Sequence, residues 1–220
     1  MNFMAKSKQA LCMVFVAATL QLTACQPESA QSVASTQVLH RKEAPAARTT
    51  VPLVRKLSPQ LLSDAITLDF SVPPQEDDPE PPIFIGLRVA AADGEAAAAK
   101  VDRLRDAGVT AQLHLYRLTE AGEQPVVLQR SEEIGRTEYR VVALGRDGHV
   151  PRIFATDADV TTMEAAGLIA PNVTYRELDM AFIRDTPPGQ YRVSVRFEGN
   201  VGALEEAGSE LLIAFTRKAK

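Results

Sequence analysis

Tryptophan is absent from these 220 residues, aromatic side chains make up only 5%, and there are two cysteines and three histidines. Each scarcity excludes something. A chain so poor in aromatics has little with which to stack sugars or nucleobases. Cys12 lies within an apolar leader and Cys25 at its end, so a chain cleaved before Cys25 retains no pair for a disulfide. Basic residues are also outnumbered, 24 Lys and Arg against 28 Asp and Glu, for a formal charge of -4. Without Lys6 and Lys8 of the leader the balance is 22 against 28, or -6, the wrong sign for holding a phosphate backbone. Nucleic acid is therefore not an expected partner. Catalytic signatures are missing as well: there is no Gly-x-Ser-x-Gly elbow, His-Glu-x-x-His helix, phosphate loop, dinucleotide fingerprint or Cys-x-x-Cys pair. We expect no enzymatic activity, no cofactor and no metal.

What is present begins with the leader. Residues 1–9 carry Lys6 and Lys8 without an acid, residues 10–20 are almost wholly apolar, and Leu22-Thr23-Ala24-Cys25 follows. This three-part layout is that of a secretory signal, and its apolar run falls well short of the roughly 20 residues a spanning helix needs. The motif ending in Cys25 resembles the lipobox of bacterial lipoproteins. That resemblance implies that residues 1–24 are a signal peptide, and that Cys25 receives a thioether-linked diacylglycerol and an amide-linked acyl chain, which together anchor the chain stably in a membrane. It also implies the periplasmic face of the outer membrane, because Gln26 rather than Asp follows the cysteine. A secreted chain with an incidental Cys25 is the other reading.

Residues 26–50 are rich in Ser, Ala, Gln, Pro and Thr with no sustained apolar period. Such a segment cannot offset the entropy of ordering, so 25–50 read as the lipidated cysteine and a disordered tether, reaching about 25 to 30 Å as a flexible coil. Residues 51–220 remain for one folded domain, enough to bury a core without staples.

Within that domain, 66–72 alternates apolar and polar at every step, as a half-buried strand does. Further strands are expected at 83–89, 109–118, 125–131, 138–144, 150–155, 175–184, 191–198 and 211–216. Asp147-Gly148 predicts a tight hairpin joining 138–144 to 150–155. Asp93 and Gly108 bracket an alanine-rich helix as its N-cap and left-handed C-terminal residue. About eight strands with one inserted helix make an antiparallel β-sandwich, mainly β in class.

The run Pro188-Gly189-Gln190-Tyr191-Arg192-Val193, a strand continuing to Phe197, a connection containing acids and glycine, and a last strand from Leu211 resemble the C-terminal half of small proteobacterial β-sandwich lipoproteins. Some of those resemble immunity proteins encoded beside secreted antibacterial toxins. The resemblance implies a periplasmic domain that sequesters a toxin or effector by occlusion.

Candidate partner-binding residues fall in two places. Residues 73–82 hold five prolines and the acids Glu76, Asp77, Asp78 and Glu80, a stiff acidic loop that lacks the spacing of a calcium loop and suits a basic partner. Arg192 and Arg196 share the face opposite the buried stripe of their strand and offer guanidiniums to an anion or an acidic partner. Against these sharper readings stands the simpler one, a solvated loop and a solvated face. Asp157, Asp159 and His149 could instead serve an enzyme or small-ligand site, although helix capping for the aspartates and a turn role for His149 are the simpler assignments. His114, between Leu113 and Leu115, points to the wetter face. An envelope-assembly or structural outer-membrane lipoprotein without enzymatic activity is the alternative to sequestration.

Overall fold

A computed structural model describes residues 48–75, 80–135 and 138–217. The leader, Cys25, residues 26–47 of the tether, and Glu76, Asp77 and Asp78 of the acidic loop lie outside the described residues.

In chain order the elements are β1 (Leu53–Lys56), α1 (Pro59–Leu62), β2 (Ile66–Val72), β3 (Ile83–Ala91), α2 (Gly94–Asp106), β4 (Thr110–Thr119), β5 (Gly122–Pro125), β6 (Gln129–Glu133), β7 (Tyr139–Ala143), β8 (His149–Val150), β9 (Phe154–Thr156), α3 (Val160–Ala165), β10 (Thr174–Ile183), β11 (Gly189–Glu198), α4 (Val201–Ala207) and β12 (Glu210–Phe215). They form two antiparallel sheets. The large one runs β1-β12-β3-β10-β6-β7 with β9 also on β10, and the small one runs β2-β11-β4-β5 with β8 also on β4. The fold is the β-sandwich that the alternating patterns predict, with twelve strands and four helices among the described residues rather than about eight strands and one helix.

Period-two patterning supplies the interior. Tyr191, Val193, Val195 and Phe197 on β11 are buried and face Ile83, Ile85, Leu87, Leu211 and Ile213 of the large sheet in one core. A second core covers the other face of that sheet, where Phe84, Leu212 and Ala214 pack under Met163 of α3 and Leu168 just beyond it. Both faces of β3 and β12 are therefore covered, which is why their sequences read as near-continuous apolar runs instead of alternating.

Helix α2 starts and stops where its sequence dictates. Asp93 accepts a hydrogen bond from the Ala96 N–H at 2.8 Å, and Gly108 sits at φ +65° just past the last turn. Ala97, Val101 and Leu104 are its buried stripe. Lys100 on the same helix donates from Nζ to the carbonyls of Ala90 and Ala207, each at 2.9 Å. It thereby fastens α2 both to the end of β3 and to α4.

One expectation is overturned. Asp147-Gly148 does form a turn, with the Gly148 N–H donating to the Gly145 carbonyl at 2.9 Å, yet the strands around it do not pair with each other. β7 pairs with β6 in the large sheet, β8 with β4 in the small sheet, and β9 with β10 back in the large one. Burial of Leu144, Val150 and Ile153 explains the crossing: these residues enter the interior, which carries the chain from one sheet to the other. Residues 125–131 likewise divide, β5 staying beside β4 and β6 joining β10.

Two local devices hold the frame. β10 slips register against β3 between Asp179 and Ala181, a β-bulge beside Gly86, where an added Cβ would stand 1.9 Å from the Leu178 carbonyl oxygen. Only glycine fits there. At the start of β11 the Tyr191 hydroxyl donates to the Pro187 carbonyl at 2.6 Å, the arrangement of a tyrosine corner, and the ring stacks on Phe70 with centroids 5.7 Å apart.

Candidate functional site

Because Val193 and Val195 point inward, Arg192, Ser194 and Arg196 project from the outward face of the small sheet. The register places Asp69 and Tyr116 beside Arg192, Thr67 and His114 beside Ser194, and Gln112 beside Arg196. Next to Gln112 stands His149 of β8. The result is an open, polar sheet face with one half-buried aromatic side chain, Tyr116.

The two arginines on it have different fates. Arg192 is engaged: Nε and one terminal nitrogen donate to Asp69 at 2.6 and 2.7 Å, and the other donates to Glu123 at 2.5 Å. The fork matches the carboxylate of Asp69 as a bidentate pair. Those hydrogen bonds hold Asp69 below the usual carboxylate range and push the guanidinium further up. Arg196 is exposed and makes no ion pair with the described residues.

The other residues singled out in the sequence take structural roles and are kept apart. Asp159 caps α3, accepting from the Thr162 N–H at 3.2 Å, and Asp157 lies 3.7 Å from Arg217. Both follow β9 of the large sheet, whereas His149 is on β8 of the small sheet, its Nδ1 3.8 Å from Glu198. His114 stands on the outward face, half-buried against Gly148, as its position between two buried leucines predicts. Of the acidic loop, Glu80 is described and exposed. No group of three or more His, Cys, Asp or Glu suited to a metal occurs among the described residues.

A feature that motif reasoning passes over lies at the edge of this face. The outer side of β4 pairs with β8 at residues 111–112 and with β5 at 116–119, so on that side 113–115 have no strand beside them among the described residues. Only single bonds bridge the break: the Leu113 N–H donates to the Gly148 carbonyl at 2.8 Å, and the Leu115 carbonyl accepts from the Val126 N–H at 2.9 Å. Into this break opens a groove of about 450 Å³, walled by Leu113, Leu115, Val126, Leu128 and Leu144 and rimmed by His114, Tyr116 and Arg146. The signal for it in the sequence is Pro125-Val126-Val127-Leu128, an apolar run that does not alternate. Comparison of the chain with known protein families, curated proteins and solved structures finds no match. The site therefore rests on its own chemistry: an open polar face with one unpaired arginine, and beside it an apolar slot with a cationic rim. Such a combination suits the surface of a macromolecule that inserts one apolar side chain and presents acids around it. Among the described residues no helix is long and apolar enough to cross a membrane.

Proposed function

We propose that this chain is a lipid-anchored periplasmic binding protein that docks a protein partner on the outward face of the small sheet and neutralises a toxin or effector by covering its working surface. The observation that carries the reading is the pairing of Arg196, left without an acid, with the apolar groove beside β4. A buried anchor within a polar surround is the usual anatomy of a protein interface. The lipobox-like Leu22-Thr23-Ala24-Cys25 and the tether support placement at the envelope, through lipid on Cys25. The acidic loop with Glu76, Asp77, Asp78 and Glu80 supplies a second, oppositely charged contact for a basic patch on the same partner.

The test is to produce the products of neighbouring genes in the periplasm with and without this chain. One of them is expected to be toxic alone, tolerated with the parent chain, and bound at least tenfold more weakly by Arg196→Glu, since a desolvated charge reversal costs upwards of about 1.4 kcal/mol. Failure to protect against any of them, or protection and affinity unchanged in both Arg196→Glu and Val127→Glu, the latter at the exposed apolar residue of the groove, would overturn the reading. A barrier defect on deletion without any toxin would favour a structural envelope role instead.

A further inference from the structure

Sheet edges are sites of unwanted pairing, and natural edges are blunted by prolines, charges, short length or cover. Most edges here follow that rule. β5 is four residues long, ends in Pro125 and displays Glu123 and Gln124. β1 follows Pro52 and is closed by arginines, Arg48 donating to the Pro52 carbonyl at 2.7 Å and Arg55 to the Val54 carbonyl at 2.8 Å. β2 is covered at Ser71, which donates its N–H to Thr49 at 2.8 Å and accepts from Val51 at 3.0 Å.

β7 breaks the rule. It is five residues long, Tyr-Arg-Val-Val-Ala, without proline or glycine, and ends the large sheet. Tyr139 is 54% and Val141 41% exposed. Leu144 donates its N–H to Leu128 at 2.7 Å, and Ile134 donates to Glu138 at 3.0 Å. With the β6–β7 register, this parity aims the backbone groups of 140 and 142 at β6 and those of Tyr139, Val141 and Ala143 away from it. No described residue pairs with that side of β7.

We propose that β7 pairs with β7 of a second copy of this chain, antiparallel about a two-fold axis at Val141, so that the large sheet continues from one copy into the other. The edge is self-complementary in each respect that pairing requires. A two-fold at Val141 sets 139 against 143 and 141 against itself, so all the outward N–H and C=O groups of both strands meet. On the outward side chains, the large Tyr139 falls opposite the small Ala143. Tyr139 is already held edge-on against Phe154, with centroids 5.7 Å apart, so ordering it costs little. Charge agrees as well. Arg140 is neutralised within its own copy by Glu132 at 2.6 Å, and Glu133 by Arg152 at 2.6 Å. The inference is independent of Arg196 and the small-sheet face, since β7 belongs to the large sheet.

The experiment is sedimentation equilibrium on the full chain with Cys12→Ser and Cys25→Ser, which prevents acylation and removes the native thiols. The parent is expected to approach twice 23.8 kDa as concentration rises. Val141→Pro is expected to stay at the single mass with an unchanged far-ultraviolet spectrum, because the proline removes an outward N–H and no bond to β6. Should that variant misfold, Val141→Lys keeps every backbone bond and sets two ammonium groups face to face at the axis, and the same loss of dimer is expected. Val141→Cys should form an interchain disulfide on mild oxidation, since residues directly opposite in a hydrogen-bonded pair have Cα atoms about 5.5 Å apart, within disulfide reach, while the exposed Val160→Cys should not. A parent that stays monomeric at all concentrations, association that survives both Val141→Pro and Val141→Lys, or equal cross-linking through Val160→Cys would overturn the proposal.

Discussion

Replacing Asp179 by asparagine should make this protein more stable above neutral pH and leave it nearly unchanged in acid. Asp179 sits at the bulge of β10 and is 7% exposed, with Oδ1 lacking any hydrogen-bond partner. Burial pushes its carboxyl up from the usual 3.8 to about 7. The folded state thus holds the proton more tightly than the unfolded chain does, so stability falls as pH rises from about 3.8 to about 7 and stays low above that. The gap corresponds to on the order of 4 kcal/mol at 1.36 kcal/mol per pH unit, an upper bound because relaxation around the ionised group reduces it. Asparagine keeps the shape and cannot ionise, and any cost of housing its amide is the same at every pH. Urea unfolding of parent and Asp179→Asn at half-unit steps from pH 4 to pH 9 isolates the effect, since Glu177, also raised by burial, is common to both. The variant's advantage should grow by roughly 2 to 4 kcal/mol across that window and level off above about pH 7. A difference that does not change with pH, or one that grows toward acid, would refute the reasoning.

Two further substitutions probe the frame. Gly86→Ala should cost more than about 3 kcal/mol or prevent folding, because its Cβ would lie 1.9 Å from the Leu178 carbonyl oxygen and backbone must move to admit it; a normal thermal midpoint would count against the close approach. Tyr191→Phe should lower stability by about 1 kcal/mol through loss of the bond to Pro187, without disturbing the stacking on Phe70, and near-ultraviolet circular dichroism together with urea unfolding checks both parts.

Local pattern carries much of this fold. The alternation of β2 and β11, the caps of α2 and α3, and the inward leucines around His114 all occur where the residues demand. Partner choice does not follow from local pattern. Asp147-Gly148 is a good turn in either arrangement, and the sheet each flanking strand joins depends on which apolar neighbours Leu144, Val150 and Ile153 reach in the interior. Strand β1 is hard to see because Leu53-Val54-Arg55-Lys56 is short and both of its apolar side chains are buried, one on each face. Arg192 and Arg196 read alike in sequence because both point outward. Only the pairing of β11 with β2 reveals that Asp69 is close enough to engage the first. The groove beside β4 is less legible still, being the space where two short strands fail to meet.

The placement of β12 has a consequence for how the molecule assembles. This strand occupies the interior of the large sheet, bonded to β1 on one side and β3 on the other. A chain still missing residues 210–215 has nowhere to dock β1 and leaves the apolar edge of β3 uncovered. The first strand must therefore wait for the last, and closure of the sheet depends on contacts between distant parts of the chain, which fold slowly. A nascent chain is consequently open and protease-sensitive until its final strand arrives, and one truncated before Glu210 stays so.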